Sequence, residues 1–488
     1  MRRGCRAWVG LLVLGWTGGC LPDNPPADTT TGVDPMDVPV IPEGEMLGCS
    51  QGTCTLVVVS QTLDDRIELL SPDDPEGVVY RGSIDLDLKP NECSGCGLGD
   101  NGGDRLDEPF GVAVAGGHLH VVAGHYPTPE RGTLLSFPFE FFAERAAGDR
   151  VDASAFFNGG TFSGVTAVPL ERLEPIFVTA VEDKLVVAVF ANNLFSAEDA
   201  WTQPGELLVL DAADPAGGVG VVPLDALDGG PCNGAARMIA LGPGQLAVAC
   251  DGNEAVAWLE HGALTGLSPG EAAATFSGAL CEIPGSVSNR RVRYLAPDTT
   301  GGLVVAEGPT PLDVLGPGRL WRFAAGCVVR GVTNLPGDDW QLAQIAALPG
   351  RDAWVFASGA ISASGNRGVF VAVERGDASE LEICGPLADI QAHLVDDGGE
   401  PLEPFAIAVA PDGEHLAIGV GPFIPPTSGP GFGRILWAEL QGIDDPCTMT
   451  ASVTDLGAGP PLAPAVDPAD PATYRRAPNV IELVEVSG

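Results

Sequence analysis

The chain has 488 residues, 45% of them apolar, and 65 acidic side chains against 25 basic ones give a formal net charge of −40. That apolar share rules out a disordered chain, and a surface so acidic repels phosphate backbones, which argues against nucleic acid as a partner. Gly (66) and Pro (43) abound while long helical runs are missing, so many short strands and turns are expected.

The N-terminus reads as an address. Arg2, Arg3 and Arg6 precede an apolar stretch, Ala7–Trp16, that is too short to span a bilayer, and small residues follow. Thr17-Gly18-Gly19-Cys20 resembles the lipobox of bacterial lipoproteins, with Thr17 where Leu is usual. The resemblance implies a signal peptide over 1–19, and a Cys20 that receives a diacylglyceryl group and anchors the exported chain in the cell envelope. Ordinary secretion is the alternative. Leu21, in place of an Asp after the Cys, favours the outer membrane. Residues 20–48 are rich in Pro, Asp and Thr without periodicity, as in an extended tether. No later stretch approaches eighteen uncharged apolar residues, so residues 49–488 are expected to form a soluble, monomeric body.

Ten cysteines follow Cys20: Cys49, Cys54, Cys93, Cys96, Cys232, Cys250, Cys281, Cys327, Cys384 and Cys447. An even number in an exported chain points to disulfides. Cys49/Cys54 and Cys93/Cys96 are close enough to pair locally, and Cys232 and Cys250 flank strands expected to be neighbours. The last four recur once per repeat and cannot be paired from the sequence. Around Cys93-Ser94-Gly95-Cys96 no βαβ pattern supports a redox role.

Three phrases repeat: "EPFGVAVAGGHLHVVAGH" from Glu108, "EPIFVTAVEDKLVVAV" from Glu174 and "EPFAIAVAPDGEHLAIGV" from Glu403. Each is an alternating apolar strand, a tight turn and a second apolar strand, the pattern of an antiparallel hairpin. Weaker copies start at Arg237, Arg293 and Ala343, and a third strand such as "GELLVLDAA" or "GRILWAEL" follows each hairpin. A fourth strand is expected in each unit, for instance "ELEICG". Such units are the blades of a β-propeller. Residues 53–86 hold second, third and fourth strands with no first, whereas "PNVIELVEVSG" at the C-terminus is a first strand with no hairpin. The fold class expected is therefore all-β, a propeller of seven four-stranded blades in which 479–487 completes the N-terminal blade.

The "PFAIAVAPDGEHLAIGV" line resembles the strand–turn–strand repeat of NHL- and YVTN-type bacterial propellers. That likeness implies fold and says almost nothing about activity, since propellers host many functions. The long loops between second and third strands gather on one face, where Tyr126, Phe195, Trp201, Asn366, Phe423 and Phe432 could meet a protein or glycan partner. Glu108, Glu174 and Glu403 each precede a Pro at the start of an innermost strand, and at the channel rim they are candidates to hold Ca²⁺. Gluconolactonase-like propellers use acidic side chains similarly, but only the Glu of that ligand set is matched here. His118, His120 and His125 are candidate transition-metal ligands, His118 and His120 sharing a strand face. No cofactor is required by any of these patterns, and neither an H-E-x-x-H motif nor a P-loop occurs. The function expected is a membrane-anchored binding or scaffold module. The alternative is an exported lactonase- or quinoprotein-like enzyme with a divalent cation at the channel mouth.

Overall fold

A computed structural model describes residues 46–49, 52–61, 66–77, 79–86, 109–124, 132–158, 161–172, 175–190, 203–241, 245–260, 264, 278–284, 290–309, 317–337, 340–359, 366–376, 379–395, 401–421, 431–456, 475–476 and 480–487. Seven antiparallel sheets form a closed ring, a seven-bladed β-propeller. The innermost strands of blades 2 to 7 are Pro109–Ala115, Pro175–Val181, Ala235–Ala240, Arg290–Pro297, Leu342–Ala347 and Glu403–Val409. Three further strands extend outward from each in order.

Blade 1 is assembled from both ends of the chain. Its innermost strand is Val480–Ser487, which pairs antiparallel with Thr53–Gln61 from Ser60↔Val480 to Thr53↔Ser487. Arg66–Leu70 and Tyr80–Asp85 continue the sheet outward. The sequence expectation for the C-terminus holds in this detail.

Local chemistry sets the hairpins. In blade 2, Ala115 pairs with His118 across Gly116 and Gly117, whose φ values of 56° and 78° are the left-handed pair demanded by a two-residue turn that follows the strand twist. A Cβ on Gly116 would also lie 2.6 Å from the Ala212 backbone of blade 3.

The blades pack face to face, and each of the seven seams between them holds one apolar cluster. Alternate residues of a strand therefore serve different seams. In blade 6, Trp354, Phe356 and Phe370 face blade 5, whereas Val355, Val369 and Val371 face blade 7. Burial on both faces explains why the strands read as nearly unbroken apolar runs. Inside the seam between blades 5 and 6, Trp354 Nε1 donates to the Pro297 carbonyl at 2.8 Å.

Four disulfides are formed among the described cysteines. Cys49–Cys54 and Cys232–Cys250 pair as the sequence suggested, and the four cysteines left open pair as Cys281–Cys327 and Cys384–Cys447. The last two join the outermost strand of one blade to the connection between the third and fourth strands of the next, 4 to 5 and 6 to 7. Cys93 and Cys96 lie outside the described residues.

One addition has no counterpart in the repeat. Between the third and fourth strands of blade 2 the chain leaves the sheet, and Asp149–Asp152 runs parallel to Tyr80–Asp85 on the outer edge of blade 1. Arg150 is ion-paired with Asp85 there, and Phe137, Phe142 and Phe156 fill the space behind it. Met46 and Leu47, placed in the tether by the sequence, are buried in this same cluster. Among the described residues no helix is long and apolar enough to cross a membrane.

Ile481 and Leu483 face blade 7, and Val480 and Val486 face blade 2. Truncating Leu483→Ala or Ile481→Ala should cost about 2–5 kcal/mol each, the range for large core deletions. Urea unfolding measures this. A loss below about 0.5 kcal/mol, the range of exposed surface changes, would mean that the C-terminal strand is not part of the core.

Candidate binding face and channel mouth

The strand directions sort the connections onto two faces. The first-to-second strand turns, such as 116–117 and 182–183, lie on one; on the other lie the second-to-third strand connections and the starts of the innermost strands. That second face is uneven. Its connections are long at 124–132, 190–205, 310–318, 359–367 and 422–433, and short at 62–65 and 251–254. Thr53 and Ser487 pair at the opposite, tight-turn end of blade 1, so the chain preceding the body joins it away from the long loops.

The tight-turn face is rich in carboxylates. Asp412 caps its turn by accepting the Glu414 and His415 amides at 2.7 and 3.2 Å, and it accepts from His415 Nδ1 at 2.7 Å. That hydrogen bond raises the His415 pKa above its ordinary value. Lys184 lies between Asp183 and Asp211 on the same face.

At the channel mouth on the long-loop face, the Glu-Pro phrases behave alike. Pro109 pairs with Ala123, Pro175 with Val189 and Pro404 with Val420, and a β-bulge follows each. Proline suits the first residue of a strand, where its missing N–H costs no ladder bond. Blades 4, 5 and 6 carry the same irregularity, so six innermost strands are bulged near the mouth, at Phe110-Gly111, Ile176, Ala236, Arg293, Ala343 and Phe405. The C-terminal strand of blade 1 pairs without one. A bulge bends its strand and re-aims a side chain. Here Phe110, Ile176 and Ala236 meet Phe190 in a separate apolar cluster. Gly124 makes room for it, since a Cβ there would lie 2.5 Å from the Phe110 ring.

Just below the bulges the neighbouring blades are tied by polar groups. The Arg237 guanidinium of blade 4 lies 4.0 Å from the ring centroid of Tyr294 in blade 5. Gln344 of blade 6 accepts the Ile407 amide of blade 7 at 2.6 Å. Within blade 5, buried Glu307 accepts from Trp321 Nε1 and Arg319, both at 2.6 Å.

The candidate site residues fall as follows. Glu403 is buried at the mouth, with Arg367 at 3.6 Å. An arginine so close already compensates the carboxylate that a cation would need. Glu108 and Glu174 lie outside the described residues, as do Cys20, His125, Tyr126, Phe195, Trp201 and Phe423. Asn366 is half-buried beside the blade 6 loop, and the backbone of Phe432 pairs in parallel with Arg476. His118 and His120 do share a face, their rings stacked 5.5 Å apart. They sit in the blade 2 strand that leaves the tight-turn face, however, not at the mouth. His120 is fully buried, with Nδ1 2.8 Å from Ser136 Oγ and Nε2 3.2 Å from the Ala115 carbonyl, so both nitrogens have protein partners. Among the described residues, the one group with metal-ligand spacing is Glu382 with Cys384 and Cys447, and those two sulfurs are bonded to each other.

Sequence reading missed the bulge ring and the outer strap at 149–152. It also passed over Gly48-Cys49-Ser50-Gln51-Gly52, which has nucleophile-elbow spacing. That segment leads into a strand instead of joining strand to helix, and Cys49 is tied to Cys54.

Burial, with a smaller contribution from neighbouring His118, lowers the His120 pKa from 6.5 to about 3, although the Ala115 carbonyl opposes the shift. The unfolded chain then takes up a proton below pH 6.5 that the folded chain refuses. Stability is full above that pH and is lost as pH falls towards about 3, by roughly 1.4 kcal/mol per pH unit. His120→Gln should flatten the pH dependence of urea unfolding between these limits by about one proton. An unchanged slope would contradict the buried, neutral assignment.

No protein-family model matches the chain, and no curated protein does. Among solved structures, a candidate 6-phosphogluconolactonase of Bacteroides uniformis ATCC 8492 is similar over 89% of this chain and 100% of its own, at 10% identity and a TM-score of 0.47. The WD40 β-propeller domain of Doa1 is similar over 76% of this chain and 90% of its own, at 10% identity and a TM-score of 0.41. A GH74 xyloglucanase from Xanthomonas campestris is similar over 82% of this chain and 59% of its own, at 13% identity and a TM-score of 0.40. The chain's own sheet order, not these likenesses, establishes the seven-bladed propeller.

Proposed function

We propose that this protein is an exported, lipid-anchored propeller of the bacterial cell envelope, of NHL/YVTN-like repeat type, that binds a protein or glycan partner through its long-loop face. The observation carrying this reading is polarity. The chain joins the body at the tight-turn end of blade 1, beside Ser487, while the long connections lie at the opposite end. An anchor at Cys20 would therefore hold the tight-turn face towards the bilayer and turn the loops outward. The acidic tight-turn face, with Glu182, Asp183, Asp412 and Glu414, would be repelled by anionic headgroups within about a Debye length, roughly 8–10 Å, which favours a body standing off on its tether. Four disulfides support an oxidising, exported compartment.

Two variants test this together. Cys20→Ser should abolish incorporation of a lipid label and release the protein from the envelope fraction. A photo-crosslinking residue at Asn366 should yield defined adducts in intact cells, whereas one at Glu414 should not. Unchanged membrane association of Cys20→Ser would remove the anchor. Equal adduct patterns at the two positions would remove the binding face.

A further inference from the structure

The outer rim between blades 6 and 7 carries a cluster that the long-loop face does not use. Cys384 ends the fourth strand of blade 6, Glu382–Cys384, and Cys447 lies in the single 3-10 turn Pro446–Thr448 between the third and fourth strands of blade 7. Their two sulfurs and a carboxylate oxygen of Glu382 all lie within 4.8 Å of one another. Among the described disulfides this is the one with neither cysteine buried: Cys49, Cys54, Cys232, Cys250 and Cys281 are buried, and only Cys327 of the others is partly exposed. Thiol–disulfide exchange needs access to a sulfur, so this bond is the first to open. A polar tie runs beside it. Arg375 donates from Nε to Glu382 at 2.7 Å and from Nη2 to Asp445 at 2.8 Å. Glu382 and Asp445 each stand two residues before one of the cysteines, so Arg375 holds the two segments in register whether or not the sulfurs are joined. Asp389, in the short helix Ala388–Gln391, adds a second tie by accepting the Ala451 amide of blade 7 at 3.0 Å.

We propose that this cluster is a redox-gated metal site: once a dithiol reductant opens the disulfide, Cys384, Cys447 and Glu382 hold a thiophilic divalent cation such as Zn²⁺, with water completing its coordination. The reductant's two thiols couple to a disulfide as the Cys384–Cys447 bond breaks, so two electrons and two protons pass to the protein sulfurs. Metal binding then releases both protons, because the ligands are thiolates. The Cα atoms stand 5.1 Å apart, close enough for both sulfurs to turn onto one ion at the roughly 2.3 Å of a Zn–S bond. Thiolates select such an ion over Ca²⁺ or Mg²⁺. Arg375 takes one oxygen of Glu382 and leaves the other for the metal, the usual arrangement behind a ligating carboxylate. In the oxidised state each sulfur is bonded to the other, and the site is shut. This goes beyond the binding reading and depends on neither the anchor nor the long-loop face.

The test uses the purified full chain with Cys5→Ser, Cys20→Ser, Cys93→Ser and Cys96→Ser, so that every remaining cysteine belongs to a described disulfide. Graded dithiothreitol without denaturant, followed by alkylation and peptide mass spectrometry, should label Cys384 and Cys447 before any other cysteine. After anaerobic removal of the reductant, Co²⁺ should give thiolate-to-metal charge-transfer bands at one ion per chain. Zn²⁺ should abolish those bands by displacement, and excess Ca²⁺ should not. The unreduced chain should show no bands. Glu382→Gln should keep them and weaken the ion by about tenfold or more, at least the cost of losing an outer-shell partner. Cys384→Ser with Cys447→Ser should remove the bands, and the same exchange at Cys281 and Cys327 should leave them. Circular dichroism of each reduced sample reads whether the propeller is still folded. Four results would each overturn the proposal: another disulfide opening first, unfolding on reduction of this one, cobalt binding without sulfur bands, or bands that persist when Cys384 and Cys447 are both serine.

Discussion

The pairing of Val480–Ser487 with Thr53–Gln61 is the constraint on which the ring depends. Each seam of a propeller needs a blade on both sides, so a missing inner strand in blade 1 would expose two seams at once. Bringing together partners as far apart as Cys49 and Val486, 437 residues, carries a closure entropy of about 5 kcal/mol from its length-dependent part. Burying Val480, Ile481, Leu483 and Val486 contributes roughly 1.5–3 kcal/mol each, and the ladder bonds add to that. Burial outweighs the closure entropy, and the strand holds. The same register sends Ile481 and Leu483 into one seam and Val480 and Val486 into the other, so the last strand locks two interfaces.

Closure also gives the body its polarity. With the junction fixed at the tight-turn end of blade 1, the first-to-second strand turns share that face and the long connections take the other. The two inter-blade disulfides, Cys281–Cys327 and Cys384–Cys447, reinforce seams between blades 4 and 5 and between blades 6 and 7. The outer strap at Asp149–Asp152 and the buried Met46 and Leu47 reinforce blade 1 from its rim. The blade built from two chain ends thus receives support at both its inner and its outer edge.

Much of this was legible because a propeller writes its period into the chain. The Glu-Pro phrases, the Gly116-Gly117 turn and the orphan strand after Pro478 each fixed an element that the sheets reproduce. Pairing of the once-per-repeat cysteines was not legible, because every repeat offers one candidate and only the geometry of adjacent blades chooses between them. The bulges were hidden for a related reason: an extra residue such as Ile176 or Ala236 is apolar like its neighbours, and leaves no mark on an already continuous apolar run. His118 and His120 looked like ligands because spacing reports the shared strand face but not whether a nitrogen is already satisfied, as those of His120 are by Ser136 and the Ala115 carbonyl. Glu403 looked like a rim carboxylate, and its compensating Arg367 comes from a different blade, beyond the reach of any local motif.

Only a closed ring brings the bulged inner strands of blades 2 to 7 around one opening. Hydrogen–deuterium exchange of the intact protein, read by peptide mass spectrometry, probes that closure most directly. The amides of Val480–Ser487 should exchange as slowly as those of the blade 6 hairpin, Leu342–Ala347 with Ala353–Ser358. If the C-terminal peptide exchanges at the rate of an open chain while that hairpin stays protected, the ring is not closed by its two ends.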